Sequence, residues 1–270
     1  MRRIVTAVVT ATAVVAIAAV FVVMVVVVWR VVNRTQAQDG CTFGDYSTDN
    51  GQASTAATMV GVVSTRGLPE RAAVLVLAAG LQESKLRNIP DGQGDRDSIG
   101  VLQQRPSQGW GTPAQLADVR YATGAFLDKL VKVRSWRTRD LATVVQAVQI
   151  SADASAYSQH EPQAQAMADA LTGTTPRGIT CAFPKPTAAP ALAAVSTRLA
   201  RELPVKSPSV TATTITVSGA GWKTAAWFVA NAQRSGLGTV DYNGWRWSRT
   251  SGWKARPGVA ATAVSATQKA

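Results

Sequence analysis

The stretch Ala72–Leu81 constrains the fold most, because its ten consecutive residues include no polar side chain. Pro69 and Glu70 precede it and suit the first turn of a helix, where proline is tolerated and a carboxylate complements the helix dipole. A helix that is apolar on every face is buried on all sides. The sequence therefore predicts that this stretch is the central helix of a helical domain.

Other helical patterns flank this stretch along the chain. Apolar spacing and capping residues predict helices over 53–66, 119–133, 140–149 and 161–171. The segment 91–98 has the composition of a loop. No segment in the middle of the chain alternates convincingly between apolar and polar residues, so we expect about five helices there and no strand.

An uncharged apolar run of 26 residues, Ile4–Trp29, precedes the helical region. A bilayer core needs about 20 such residues in a helix, whereas the apolar part of a signal peptide is typically about 7–15 residues long. Residues 1–34 are therefore predicted to be a short cytoplasmic start and one transmembrane anchor, and Arg2 and Arg3 favour the N-terminus inside. Cleavage after Ala37 and a buried core helix are the alternatives. The expected localisation is the cell membrane, with the bulk of the chain extracytoplasmic.

The charges are unevenly distributed. Residues 35–190 carry 14 basic and 14 acidic residues, whereas residues 191–270 carry ten basic and two acidic ones. A cationic C-terminal region suits a polyanion, such as a phosphate-rich wall polymer, a membrane surface or a nucleic acid. One histidine and two cysteines exclude a zinc site with the usual set of Cys and His ligands. No metal and no cofactor is predicted.

The two cysteines, Cys41 and Cys181, flank the electrically balanced region. If this region is extracytoplasmic, they can form a disulfide; the alternative is two unpaired thiols. Closing so long a loop would stabilise the fold by about 4–5 kcal/mol through the lost entropy of the unfolded chain.

Composition divides the chain after the anchor into four regions. Residues 35–182 are the predicted helical domain, 183–190 a Pro/Ala linker, 191–256 a small basic, Trp-rich α/β module and 257–270 a disordered tail. In the module, the pair Asn243-Gly244 predicts the turn of a β-hairpin.

Glu83, which follows the apolar stretch, is the candidate catalytic residue. Cleaving a glycosidic bond requires a proton for the leaving oxygen, and a carboxylic acid supplies it near neutral pH only if burial raises its pKa. Ala79 and Gly80 lie one turn back on the same helix face and would leave room for a sugar. The alternative is a surface glutamate at a fraying helix end, paired with Arg87.

Glu83-Ser84, followed by the segment 100–106 (GVLQQRP), resembles the goose-type lysozyme and soluble lytic transglycosylase family. In that family a catalytic Glu-Ser is followed, after a loop of similar length, by a Gly-Leu-Met-Gln-x-x-Pro segment. The predicted helix 119–133 is similar to a later helix of the family. The resemblance covers about residues 55–172. A stretch in the module, 226–247, is faintly similar to an accessory domain of actinobacterial wall-associated proteins.

The resemblance implies a lysozyme-like α domain that acts on peptidoglycan. The predicted fold class is thus mainly α, with an N-terminal transmembrane helix, a lysozyme-like α domain and a small C-terminal α/β module. Glu83 would protonate the bond between N-acetylmuramic acid and N-acetylglucosamine. It would then withdraw a proton from the muramic 6-hydroxyl, leaving a 1,6-anhydro end. Ser84 would orient Glu83, and Gln103 and Gln104 would line the substrate cleft.

Hydrolysis, in place of the anhydro outcome, would require a second carboxylate. Asp95 or Asp97 could supply it from the loop, and solvation of the loop is the alternative role for both. The sequence leaves open whether the protein is a hydrolase or a transglycosylase.

One departure from the family concerns an Ala-Tyr-Asn triplet late in the domain, where the tyrosine supports the catalytic glutamate. The best-placed triplet here is Ala147-Val148-Gln149, which has no hydroxyl. Tyr157 is the candidate substitute, and without it the site would be slow or would only bind glycan.

Tryptophans supply the candidates for contact with sugar rings. Trp110, between two glycines, would stack on a sugar or, alternatively, plug the core beneath the loop. Trp245 and Trp247 would share a strand face with interleaved basic residues. Such a surface could bind glycan, a phosphate-containing polymer or single-stranded nucleic acid, and the alternative is that a small domain needs these rings for its core.

The sequence therefore predicts a membrane-anchored protein that cleaves peptidoglycan glycan strands and contacts anionic wall polymers through its C-terminal module. The alternative is a non-catalytic cell-wall or polyanion-binding protein on a degenerate lysozyme-like scaffold. Binding to nucleic acid is not favoured, because it requires the opposite topology.

Overall fold

The structure of the protein is a computed structural model that describes residues 23–24, 39–150, 155–183, 185 and 189–268. Asp39–Ala270 forms one compact unit. The described helices are α1 Asn50–Thr65, α2 Glu70–Ser84, α3 Pro113–Leu116, α4 Val119–Leu130, α5 Leu141–Gln149, α6 Ser155–Ser158, α7 Glu161–Thr172, α8 Leu192–Glu202, α9 Trp222–Ala230 and α10 Ala232–Ser235. The described strands are β1 Gly40–Phe43, β2 Tyr46–Thr48, β3 Ile179–Ala182, β4 Ser209–Val210, β5 Thr214–Ser218, β6 Leu237–Tyr242, β7 Trp245–Ser248, β8 Gly252–Ala255 and β9 Ala263–Gln268.

The prediction of a mainly α fold is wrong, because the strands form two antiparallel sheets and the fold is mixed α/β. One sheet has three strands in the order β2-β1-β3, and the other has six in the order β4-β5-β9-β6-β7-β8. The middle of the chain, which was expected to lack strands, contributes β1, β2 and β3. These strands have only three or four residues each, too few for a clear alternation of apolar and polar side chains.

The predicted central helix is confirmed as α2. All ten residues from Ala72 to Leu81 are buried, and the helix packs against α1, α4, α5, α6 and α7. It begins after Pro69 and ends at Ser84, where Lys85 and Leu86 turn the chain with positive φ angles of 54° and 60°. The last turn of the most deeply buried helix therefore carries the candidate catalytic glutamate.

The predicted disulfide is confirmed. Cys41 and Cys181 are bonded across paired positions of β1 and β3, 140 residues apart in sequence. The bridge closes both ends of the helical region onto each other.

The C-terminal region packs against the helical region. The end of α8 contacts α1 at Gly61, where an added Cβ would lie 2.4 Å from the backbone oxygen of Glu202. Helix α9 contacts α1, α7 and β3. Residues 184 and 186–188 of the predicted linker lie outside the described residues.

The C-terminal hairpin is confirmed, and the disordered tail is corrected. Asn243 and Gly244 join β6 to β7 with φ angles of 46° and 77°, as a two-residue hairpin turn requires. Residues 263–268 of the predicted tail form β9, which lies between β5 and β6. The Ala, Thr and Ser composition of this segment resembles that of a disordered tail, but Val264 and Ala266 alternate into the core.

The tryptophans of this region belong largely to the core. Trp227 and Trp247 are fully buried. The indole nitrogen of Trp247 donates a hydrogen bond to the backbone oxygen of Cys181, and that of Trp253 donates to Ile179. Trp245 is half-buried, with the guanidinium of Arg177 3.8 Å from its ring centroid. The rings of Trp247 and Trp253 thus fasten the six-stranded sheet to β3.

The prediction of a single-pass membrane protein is also corrected. In the part of the chain that the structure describes, no helix is both long enough and apolar enough to cross a bilayer. Most of the predicted anchor, residues 4–29, lies outside the described residues, which include only Val23 and Met24 of it. The localisation at the cell membrane, which depended on that anchor, is therefore withdrawn.

Candidate active site

Glu83 is the penultimate residue of α2 and is half-buried. Burial raises the pKa of its carboxyl above the ordinary value of 4.5, because the charged form loses contact with water. Among the described residues, no ion pair involves Glu83. The carboxyl group therefore lies in surroundings that favour its protonated form.

Two neutral side chains hold this carboxyl group. The hydroxyl of Tyr157 donates a hydrogen bond to Glu83 Oε1 over 2.6 Å, and the side chain of Gln149 forms a second hydrogen bond. Both bonds lower the pKa of Glu83, but burial has the larger effect and the net shift is upward. Neutral donors of this kind orient a carboxyl group and still allow it to exchange its proton.

Tyr157 supports Glu83 from within the core. It lies in the short helix α6, and its side chain is only 1% exposed. Its hydroxyl reaches the carboxyl group of Glu83, although the two residues are 74 positions apart in the sequence. The structure thus brings the predicted substitute to Glu83, as a positioning residue behind the carboxyl group.

Ser84 fastens the neighbouring turn to α2. Its hydroxyl donates to the backbone oxygens of Val101, at 2.8 Å, and Gly80, at 3.2 Å. The amide nitrogen of Gln149 donates to the backbone oxygen of Leu102 at 2.9 Å. The segment 100–104 is therefore held beside Glu83 from two helices, α2 and α5. Ser84 acts on this turn, and its hydroxyl bonds to backbone atoms and not to the Glu83 carboxyl.

The two glutamines of the turn have different positions. Gln103 is half-buried and donates to the backbone oxygen of Gly100 at 2.9 Å. Gln104 is only 2% exposed and donates to the backbone oxygen of Ala122 in α4 at 3.1 Å. Only Gln103 can line a cleft, whereas Gln104 joins the turn to the core.

Gly100 is required at the start of this turn. Its φ angle is 80°, and an added Cβ would lie 2.3 Å from the backbone oxygen of Leu116. Any other residue would push the turn away from α3, and therefore away from its position beside Glu83.

The two candidate second carboxylates lie in the loop. Asp97 accepts hydrogen bonds from Arg105 Nε and from the backbone nitrogen of Ser107, the latter over 2.8 Å. The hydroxyl and amide of Ser107, followed by Arg105, hold the pKa of Asp97 well below its ordinary value of 3.8. Asp95 is exposed. Neither residue forms a hydrogen bond to Glu83 among the contacts of the described residues.

Trp110 occupies the core, as the alternative interpretation proposed. It is 6% exposed, and Lys129 Nζ lies 3.1 Å from its ring centroid. Its backbone oxygen accepts a hydrogen bond from the hydroxyl of Tyr121 at 3.4 Å. The ring is therefore already covered and is a poor platform for a sugar.

The single histidine contacts Gln82, the residue that precedes Glu83 in α2. His160 Nε2 is 2.9 Å from Oε1 of Gln82. Burial lowers the pKa of His160 below its ordinary value of 6.5, because the charged ring loses contact with water. In the described part of the chain, no group of three or more His, Cys, Asp or Glu side chains could hold a metal ion.

Sequence reasoning missed the contribution of Gln149. The triplet that contains it was examined only for a hydroxyl, whereas its amide contacts both Glu83 and the turn. Leu141 and Val145, at helical spacing before it, are both buried. A polar side chain that continues such an apolar stripe is the signal that could have identified it.

No model of a known protein family matches this chain, and no curated protein matches it.

Proposed function

We propose that this protein cleaves the glycan strands of peptidoglycan, with Glu83 as general acid and then general base. The observation that carries the proposal is the environment of Glu83. Its carboxyl group has a pKa raised by burial, no cationic partner among the described residues, and a hydroxyl donor, Tyr157, at 2.6 Å. A protonated acid held in this way can deliver its proton to a glycosidic oxygen.

The proposed reaction begins with protonated Glu83 giving its proton to the oxygen between N-acetylmuramic acid and N-acetylglucosamine as the bond breaks. Tyr157 and Gln149 stabilise the carboxylate that remains, because their hydrogen bonds favour the charged form. The carboxylate then removes the proton of the muramic 6-hydroxyl, whose oxygen closes onto the anomeric carbon. Glu83 is protonated again, and the product carries a 1,6-anhydro ring.

The surroundings of the other carboxylates favour this outcome over hydrolysis. Asp97 is engaged by Arg105 and Ser107, and Asp95 is exposed in the same loop. A route that needs one carboxylate therefore agrees better with the site than a route that needs two.

The test is digestion of purified peptidoglycan by the full-length protein, with the soluble products identified by mass spectrometry. Glu83→Gln keeps the size of the side chain but removes the transferable proton, so we expect the cleavage rate to fall by at least about 10³-fold. Glu161→Gln is the matched control, because it makes the same change at a carboxylate that pairs with Arg71 at the surface.

Anhydro-muropeptides from the wild type and the control, but not from Glu83→Gln, would support the proposal. Products with reducing ends would support hydrolysis and direct attention to Asp95. A folded protein that pulls down cell wall but releases no product would contradict catalysis and favour a glycan-binding protein on this scaffold.

A further inference from the structure

A cavity of about 660 Å³ lies away from Glu83, between α1, α8 and the beginning of α4. Its charged lining consists of four arginines and two carboxylates, which are Arg120, Arg198, Arg201, Arg234, Asp118 and Glu202. The lining therefore has an excess of positive charge. The lining includes residues of the predicted C-terminal module and residues of the helical region.

The two carboxylates do not neutralise all four guanidinium groups. Asp118 Oδ1 is 3.9 Å from Arg120 Nε, and Glu202 Oε1 is 3.7 Å from Arg234 Nη2. Arg198 and Arg201 take part in none of the ion pairs found among the described residues. Two cationic side chains of α8 therefore border the cavity without a carboxylate partner.

Arg198 has an unused donor inside the protein. Its Nη1 atom is buried and has no hydrogen-bond partner among the residues that the structure describes. Buried polar atoms in folded proteins are nearly always hydrogen-bonded, and an exception calls for an acceptor such as an ion or a water molecule. Arg198 therefore lines the cavity with a guanidinium group whose donors the protein does not fully use.

The charge of Arg198 also acts on Arg234, another arginine of the cavity lining. Burial, and then the charge of Arg198, lower its pKa to about 10 against the opposing effect of Glu202. The two guanidinium groups are thus close enough to repel each other. An anion bound between them would relieve this repulsion.

We propose that this cavity binds a phosphate group through Arg198, with Arg201 and Arg234 supplying further positive charge. A guanidinium group matches the spacing of two phosphate oxygens and donates to both. The N-terminus of α4 also lines the cavity, where the carboxylate of its N-cap residue, Asp118, accepts a hydrogen bond from the backbone nitrogen of Arg120 over 2.8 Å. The phosphate is either the free anion or a phosphate ester within an anionic wall polymer.

The site is independent of the proposed glycan cleavage, because neither Glu83 nor its hydrogen-bond partners line the cavity. The two proposals can therefore fail separately. Phosphate binding is measured without peptidoglycan, and glycan cleavage is measured without phosphate.

The experiment is calorimetric titration of the full-length protein with inorganic phosphate, at an ionic strength kept constant with sodium chloride. We expect Arg198→Gln to weaken binding at least tenfold. Arg134→Gln is the matched control, because Arg134 is exposed just beyond the other end of α4, about 18 Å along the helix from the cavity. Wild-type protein that does not bind phosphate, or equal affinities for the two variants, would overturn the proposal.

Two further measurements separate binding from a structural role. Arg198→Gln removes an unsatisfied buried donor, so its melting temperature without phosphate should equal or exceed that of the wild type. Arg198→Lys keeps the charge but loses the two-pronged donor, so its phosphate affinity should lie between those of the wild type and Arg198→Gln. A lower melting temperature for Arg198→Gln, together with wild-type affinity for Arg198→Lys, would contradict the proposal.

The source of the phosphate is decided by a second probe, a glycerol-phosphate polymer. Tighter binding of the polymer per phosphate than of the free anion, lost in Arg198→Gln, would assign the cavity to a wall-type phosphodiester. Binding of inorganic phosphate alone would assign it to the free anion. Sodium acetate that displaces phosphate at equal concentration would overturn the assignment to phosphate.

Discussion

Glu83 is the penultimate residue of α2, and Glu202 is the last residue of α8. Both carboxyl groups lie at the C-terminal end of a helix, where the helix dipole disfavours negative charge. Glu83 is held by the neutral side chains of Tyr157 and Gln149. Glu202 accepts hydrogen bonds from Thr58 and Trp227 and also faces the guanidinium group of Arg234.

The two glutamates differ in the charge of the side chains that bind them. Neutral donors orient Glu83 without supplying a charge, so its proton remains available for transfer. The guanidinium group of Arg234 pairs with the carboxylate of Glu202, and the carboxylate offsets part of the positive charge of the cavity. In the two proposals, the carboxyl group without a cationic partner among the described residues serves acid–base chemistry, and the one beside arginine belongs to the anion-binding cavity.

The largest effect on stability is expected from Glu202→Gln. Glu202 is 4% exposed, and the substitution removes a buried negative charge that lies between cationic groups. The free energy of unfolding should fall by about 2–3 kcal/mol, measured by urea denaturation at pH 7. Glu161→Gln, at a partly exposed ion pair with Arg71, should lower it by less than about 1 kcal/mol. Equal losses for the two variants would show that the arginine cluster does not depend on Glu202.

A smaller effect, on catalysis, is expected from Tyr157→Phe. The tyrosine hydroxyl stabilises the carboxylate form, so its removal raises the pKa of Glu83 further. Because the first step needs protonated Glu83, the cleavage rate falls as the pH rises through this pKa, and that fall should move to higher pH in the variant. The maximal rate should decrease about 10–100-fold, because the carboxyl group is less well oriented.

The pH profile of peptidoglycan cleavage tests this prediction. Tyr46→Phe is the control, since it removes the hydroxyl of a half-buried tyrosine in β2 that forms no hydrogen bond to Glu83 among the contacts of the described residues. An unchanged alkaline limit in Tyr157→Phe would mean that the hydroxyl does not act on Glu83.

The smallest effect is expected from Glu83→Gln on stability, and its sign is opposite to that of Glu202→Gln. The folded-state pKa of Glu83 is raised above 4.5, so the free energy of unfolding falls as the pH rises from that value through the raised pKa. Above this pH range the buried charge of Glu83 lowers the free energy of unfolding by its full amount. The neutral glutamine side chain of the variant has no such effect. Thermal unfolding at pH 7 should therefore show a stabilised variant, and the difference should shrink at pH 4. A variant that is destabilised more at pH 7 than at pH 4 would contradict the raised pKa.

Local patterns predicted several elements correctly because each depends on neighbouring residues. Ten apolar residues in succession identified α2, and the pair Asn243-Gly244 identified the hairpin of β6 and β7. Strands β1 and β3 were missed because neither has a clear alternation of apolar and polar residues. Each is stabilised by pairing with a segment more than 130 residues away. Strand β9 was missed because small and hydroxyl residues indicate disorder unless two neighbouring strands take up their hydrogen bonds.

The candidate site likewise contains residues whose positions the sequence predicted and residues whose positions it did not. Glu83 was predicted from the apolar residues before it, and Tyr157 was predicted only as a substitute for a missing hydroxyl. The separate positions of Gln103 and Gln104, and the burial of Trp110, depend on the turn at Gly100 and on Lys129. None of these contacts follows from residue type or spacing.

The sequence by itself determined where a buried helix ends in a carboxyl group, because helix formation and apolar burial are encoded in consecutive residues. Only the tertiary structure decided which partner each carboxyl group meets. Glu83 meets Tyr157 across 74 positions, and Glu202 meets Thr58 across 144 positions. Hydrogen bonds and charge interactions act over a few ångströms, so residues so far apart in the chain interact only when the packing of the whole fold brings them together.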